Sequence, residues 1–177
     1  MAFDLQPTLK GDLIELRPLR PQDFDPLFSA ASDPLIWEQH PESDRYQPDI
    51  FQNFFNGALE SKGAFAIIEC KSERIIGSSR YCNLDLANGE VEIGWTFLER
   101  KFWGGTYNRE LKRLMLEHAF RFVERVVFVV GEKNFRSQKA LEKIGAIFLK
   151  KVEQPTRHGT FTRNVVFLIT RESYQSL

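Results

Sequence analysis

No sign of charge dominates this 177-residue chain: 24 Lys and Arg stand against 24 Asp and Glu. A balanced surface gives no general reason to bind nucleic acid or an anionic membrane, although a local basic patch is compatible with it. Cysteine is almost absent. Cys70 and Cys82 are the two, both in strand-like segments, which fits buried free thiols in a reducing cytoplasm better than a disulfide. With three histidines and no Cys/His cluster at ligand spacing, no metal site is expected. Long apolar runs are missing, so no membrane span is expected either. The opening Met1-Ala2-Phe3-Asp4-Leu5 lacks the basic start and apolar stretch of a signal peptide. No repeat, low-complexity tract or linker interrupts the sequence. What is present, 42% hydrophobic and 27% charged residues, suits a soluble globular chain, and the length predicts one domain over 1–177 with a full core.

Local patterns predict a mixed α/β arrangement. Leu9 to Pro18 reads as a turn followed by a first strand. Pro21 to Ala31 forms a helix with Phe24, Leu27 and Phe28 on one face, and Ser32-Asp33-Pro34 ends it. Leu35 to Pro48 is irregular and carries Trp37, Glu38, His40, Asp44, Arg45 and Tyr46. Asp49 to Ser61 has the apolar stripe of a second helix, stopped at Lys62-Gly63. Two strands follow, Ala64 to Cys70 and Arg74 to Tyr81, and Asn88-Gly89 is a hairpin signal into a third.

The stretch Gly89 to Phe122 organises the rest. Glu90 to Leu98 alternates as a strand should. Tyr107, Leu111, Leu114, Met115, His118, Ala119 and Phe122 fall at helical spacing. Between them stand Gly104 and Gly105. A strand that runs through a glycine-bearing loop into a helix start can bind phosphate, because the first helical amides lack partners and sit at the positive end of the dipole. Beyond the helix, Arg125 to Val130 is an apolar run fit for a strand buried on both faces. Asn134 begins a helix that Gly145 stops. Ala146 to Glu153 and Thr160 to Thr170 are two further strands.

The order of these elements, the loop Lys101-Phe102-Trp103-Gly104-Gly105-Thr106-Tyr107, and the later Asn134-Phe135-Arg136-Ser137-Gln138-Lys139-Ala140-Leu141-Glu142-Lys143-Ile144-Gly145-Ala146 resemble the GNAT superfamily of N-acetyltransferases. The match is closest to the branch that includes the ribosomal-protein N-terminal acetyltransferases, and it covers nearly the whole chain. The resemblance implies an α/β fold with a mixed sheet of about six or seven strands and about four helices. Its central parallel pair, here Glu90–Leu98 and Arg125–Val130, is splayed, and acetyl-CoA lies in the split. The family's phosphate loop has Arg or Gln, then Gly, then Gly or Ala; the matching positions here hold Lys101, Gly104 and Thr106. Lysine keeps the charge without the planar fork, and Thr106 puts a branched side chain where a small one is usual.

The resemblance implies roles as follows. The main-chain amides from Phe102 through Trp103, Gly104, Gly105, Thr106 and Tyr107 to Asn108 hold the pyrophosphate, with Lys101 beside them. Main-chain groups near Phe97 and Leu98 pair with the pantetheine arm, and one faces the developing oxyanion. Asn134 bonds the pantetheine, and Ser137 donates a proton to the leaving sulfur; both also suit helix capping. Glu92, beside the split with Glu90 on the same face, is either the general base or a structural hydrogen-bonder. Trp37, His40 and His158 lie in regions that face the acceptor, or simply pack or meet solvent. His118 reads as a core histidine and Trp103 as an anchor for the loop. The expected partner is an amine-bearing acceptor, a peptide N-terminus or a small molecule, with no nucleic acid and no membrane; a homodimer follows the family habit. The alternative is a non-catalytic acyl-CoA binding or sensing protein. A nucleotide-hydrolysing phosphate loop is excluded, because no Gly-Lys-Ser or Gly-Lys-Thr follows the glycines.

Overall fold

Hydrophobic alternation and turn chemistry place thirteen elements in the computed structural model, which describes residues 2–176. They are β1 (Leu9–Lys10), β2 (Ile14–Pro18), α1 (Phe24–Ala31), α2 (Pro48–Glu60), β3 (Ala64–Glu69), β4 (Ile75–Asp85), β5 (Glu90–Leu98), α3 (Thr106–Ala119), β6 (Arg125–Gly131), α4 (Phe135–Glu142), β7 (Ile147–Pro155), β8 (Phe161–Thr170) and α5 (Arg171–Gln175). The eight strands make one sheet in the order β1-β2-β3-β4-β5-β6-β8-β7. Every pairing is antiparallel except β5 with β6.

The strand count exceeds the expected six or seven because Leu9–Lys10, read as a turn, pairs with Glu15 and Leu16. The fifth helix, Arg171–Gln175, is a single short turn capped reciprocally by Thr170 and Ser173, too brief to carry a periodic signal. Pro21–Asp23 forms a 3-10 turn ahead of α1, and Pro34–Ile36 another inside the segment expected to be irregular.

The central strands of the sheet are buried on both faces. In β3 the alternation is clean: Phe65 and Ile67 belong to the core under α3, and Ala64 and Ala66 to the core under α1 and α2. The small alanines leave room for Phe51 and Phe55 of α2, which are 0% and 2% exposed. On the other face Leu111 and Met115 of α3 meet Ile14, Ile93 and Val126. Tyr81 crosses that core and donates its hydroxyl to the Met115 carbonyl at 2.5 Å. No helix among the described residues is long and apolar enough to cross a membrane. Both cysteines are free, and each is half-buried rather than fully buried.

Candidate active site

The parallel pair is joined for three rungs only: Glu90 with Arg125, Val91 with Val126, and Glu92 with Val127. Past Glu92 the two strands part, although β5 runs on to Leu98 and β6 to Gly131. The cause lies in β5. Between the rungs Arg80–Gly94 and Ser78–Phe97, Trp95 and Thr96 face Ser79 alone, and Trp95 takes φ of +50°. Such a bulge bends the strand and raises its twist. A tryptophan at positive φ is uncommon, and nothing in the alternating pattern of Glu90 to Leu98 announces it.

Lys112 of α3 lies beneath the fork. Its ammonium donates to Thr96 Oγ1 at 2.8 Å and lies 5.4 Å from the Phe128 ring centre, so it touches both parted strands. Burial pushes its pKa down from 10.5 to about 7. Sequence reasoning missed it, because a lysine on an amphipathic helix normally faces water.

Two cavities meet at the fork. The first, of about 540 Å³, runs between β5, the start of α3 and α4; Phe97, Leu98, Trp103, Gly104, Gly105, Asn108, Asn134 and Ser137 line it, with Trp37 and His40 at one end. Gly104 and Gly105 have φ of +106° and +114°. A Cβ placed on either would meet no atom within 4 Å, so the loop presents bare backbone to open space. The amides of Phe102 and Trp103 donate within the 3-10 turn Arg100–Phe102, to Glu99 and Arg100. Those of Gly104, Gly105, Thr106, Tyr107 and Asn108 have no partner among the described residues, and no side chain caps α3. Five free amides at a helix start fit a pyrophosphate.

Side chains complete the mouth. Arg109, Arg136, Lys139 and Lys143 line it and suit further phosphate charge; sequence reasoning gave none of them a role. Arg136 stacks on Trp103 at 4.1 Å and donates to the Ile36 carbonyl at 2.9 Å, tying α4 to the loop after α1. Trp103 is anchored as expected, its indole donating to the Leu98 carbonyl at 2.9 Å. The Lys101 ammonium instead lies 3.4 Å from Glu99 and is not on the cleft wall. The Tyr107 hydroxyl turns away to Glu69 at 2.9 Å, and the Thr106 side chain is exposed outside the wall. Asn134 caps α4, accepting from the Ser137 amide at 3.3 Å, and lines both cavities; the Ser137 hydroxyl is unengaged.

The second cavity, of about 350 Å³, opens on the α2 face. Glu92, Asn83, Trp95, His40, Glu42, Arg45, Gln154, Thr162 and Asn164 are on its wall. Glu92 is 6% exposed and accepts from Asn83 at 2.7 Å. Burial pushes its carboxyl above the usual range, with Glu90 adding to the rise and Asn83 and Cys82 opposing it. Gly94 leaves its other oxygen open: a Cβ there would stand 3.2 Å from Glu92 Oε1.

His40 is half-buried, and desolvation followed by the Arg45 charge brings its pKa down to about 3. Its Nδ1 accepts from the Glu42 amide at 2.9 Å. A ring held neutral in this way is no proton acceptor near neutral pH. Trp37 is 3% exposed, donates to the Ala31 carbonyl at 2.8 Å and packs on Phe97; it is wall rather than platform. His158 lies exposed in the β7–β8 turn beside Arg157 and lines neither cavity. His118 is buried against Phe3, Tyr81 and Phe122, as a core histidine.

A sheet forked at its parallel pair, with unpaired amides at the mouth and a buried carboxylate at the crotch, is the framework of an acyl-transfer enzyme. A family model described as an acetyltransferase (GNAT) domain matches residues 14–147, and the chain belongs to that family of N-acetyltransferases. It is 28% identical over 144 residues, 77% of this chain and 80% of the relative, to an uncharacterized N-acetyltransferase p20 of Bacillus licheniformis. Its fold matches a GCN5-related N-acetyltransferase from Brucella melitensis with a TM-score of 0.82 and 22% identity, over 96% of this chain and 81% of that one. RimJ of Mycobacterium smegmatis in complex with CoA-disulfide matches with a TM-score of 0.71 and 18% identity, over 94% of this chain and 87% of that one.

Proposed function

We propose that the protein, acting as a single domain over residues 1–177, transfers an acetyl group directly from acetyl-CoA to a primary amine that enters by the second cavity. The observation that carries this reading is the ladder between β5 and β6, which stops at Glu92 and Val127 and leaves the edge of β5 free beside the amides of Gly104 to Asn108. Those amides hold the pyrophosphate, and Arg109, Lys139 and Lys143 take up further phosphate charge. The free edge of β5 near Phe97 and Leu98 pairs with the pantetheine arm as an added strand would.

Acetyl-CoA supplies the acetyl group as an activated thioester. Glu92 takes a proton from the acceptor ammonium, which its raised pKa suits. The freed amine attacks the carbonyl carbon, and a main-chain N–H of the β5 edge faces the charge that builds on the carbonyl oxygen. The carbon–sulfur bond breaks as the now cationic nitrogen gives up its extra proton, and the Ser137 hydroxyl, or a water held by it, relays a proton to sulfur and is itself left neutral. Neither cysteine lines either cavity, which favours direct transfer over an enzyme-bound acyl group.

The sequence resemblance to ribosomal-protein acetyltransferases favours a peptide N-terminus as the acceptor. A homodimer is supported by apolar surface at the β7 edge, where Ile147 is 64% and Phe148 55% exposed, and a cytoplasmic location by the two free thiols.

Glu92→Gln tests the reading. Free-thiol release over a panel of peptides and small amines should fall by about 100-fold or more in the variant, while calorimetric affinity for CoA stays as in the wild type. The rate should also fall as pH drops through the raised carboxyl pKa, above the ordinary 4.5. Wild-type turnover in Glu92→Gln would contradict the assignment.

A further inference from the structure

Arg80 of β4 is 8% exposed, yet its Nε is buried without a hydrogen-bond partner. No carboxylate among the described residues pairs with it. Burial lowers its pKa to about 10, with Cys82 opposing the fall and the neighbouring Arg45 charge adding to it. Other sheltered arginines have a carboxylate: Arg17 has Asp23 at 2.7 Å, Arg45 has Glu42 at 3.0 Å although its Nε is also unpartnered, and Arg136 has Glu38 at 3.3 Å. A guanidinium with a buried, unpartnered Nε and no carboxylate is costly, and an anion that reaches it lowers that cost.

Its position says where that visitor comes from. Arg80 stands opposite Gly94, two residues from Glu92 on the same strand. Its guanidinium borders the second cavity without lining it, 4.7 Å from the ring centre of Trp95 on that wall and 5.8 Å from that of Phe54. Arg45, on the same wall, lies 4.8 Å from the Phe54 ring, so the two cations share one aromatic support. Gly94, opposite Arg80, puts no side chain against the Glu92 carboxylate. Diagonal positions across an antiparallel pair are about 7 Å apart, so the two side chains leave the sheet at neighbouring points, and one small residue can present an amine to one and a carboxylate to the other.

We infer that the acceptor carries a carboxylate a few bonds from its amine, held at Arg80 with Arg45 beside it while the amine meets Glu92. This rests on the acetyl-transfer reading above and narrows its acceptor class. The carboxylate has two sources, the α-carboxylate of a free amino acid or the side chain of an acidic residue at a peptide N-terminus. Guanidinium–carboxylate recognition is the same for both.

The test reads product binding, which does not depend on turnover. The CoA-loaded protein is titrated by tryptophan fluorescence with N-acetylglycine, with N-acetylglutamic acid 1-amide, and with the uncharged N-acetylglycinamide. The first represents a free amino acid and the second an acidic N-terminus. At least one carboxylate should bind about tenfold more tightly than the uncharged amide, as one charge-assisted hydrogen bond predicts. The better of the two names the source. Arg80→Gln should remove the preference and Arg80→Lys should restore part of it. Equal binding of all three by the wild-type protein overturns the inference, and needs no variant to fold. So does a preference that survives Arg80→Gln. Absence of turnover on every amine would instead count against the transfer reading, whatever the binding shows.

Discussion

Lys112 shows how burial decides what a residue does. Its pKa of about 7, against 10.5 in water, arises from desolvation, with no carboxylate among its causes. The unfolded chain therefore binds a proton that the folded chain has shed between about pH 7 and 10. In that window stability should rise with pH by about 1.4 kcal/mol per unit from this group alone. Urea denaturation of Lys112→Met against wild type, from about pH 7 to 9, should show that slope lost in the variant, with the variant the more stable near neutrality; parallel curves would mean that Lys112 is solvated. The strand position of Glu92 and the helix start at Asn134 and Ser137 were legible in the sequence from alternation and capping chemistry, while the roles expected of them came from the family resemblance. Lys112, Arg80 and the bulge at Trp95 were not. Their surroundings are made by residues 16, 35 and 15 positions away, Thr96 for Lys112, Arg45 for Arg80 and Arg80 itself for Trp95, and a charged residue in isolation looks like a surface residue.

At the scale of elements, the question is what aims the start of α3 at the fork. Glu110, on the second turn of that helix, accepts from the amides of Asp12, Leu13 and Ile14 at 3.0, 2.8 and 2.9 Å. Gly11 makes room for it: a Cβ there would stand 2.5 Å from the carboxyl carbon. The carboxylate thus pins α3 to the first turn of β2, 96 to 98 residues away in the chain. Removing it strands three amides, one fully buried, and Glu110→Ala should cost about 3 kcal/mol or more. A thermal melt measures this, and a loss below about 1 kcal/mol would show the amides re-satisfied elsewhere. The helix itself was legible from the spacing of Leu111, Leu114 and Met115, and so were β5 and β6. The staple was not, since Glu110 reads as one more polar position on the solvent side of that pattern.

Across the whole molecule, the sheet is two unequal halves joined by the three parallel rungs from Glu90 to Glu92. The half from β1 to β5 carries α1 and α2; the other carries α4 and the β7–β8 hairpin, whose edge strand is exposed along most of its length, and the core under α3 spans both. The two cavities open where the halves part, so the fork is both a defect in the sheet and the origin of the candidate site. A structure of the protein crystallised with acetyl-CoA tests this most directly. The pyrophosphate should lie within hydrogen-bond distance of the amides of Gly104 to Asn108, and the thioester should reach between β5 and β6 beyond Glu92 and Val127. A complex in which Phe97 and Phe128 are drawn into one continuous ladder, with the coenzyme bound elsewhere, would contradict the account.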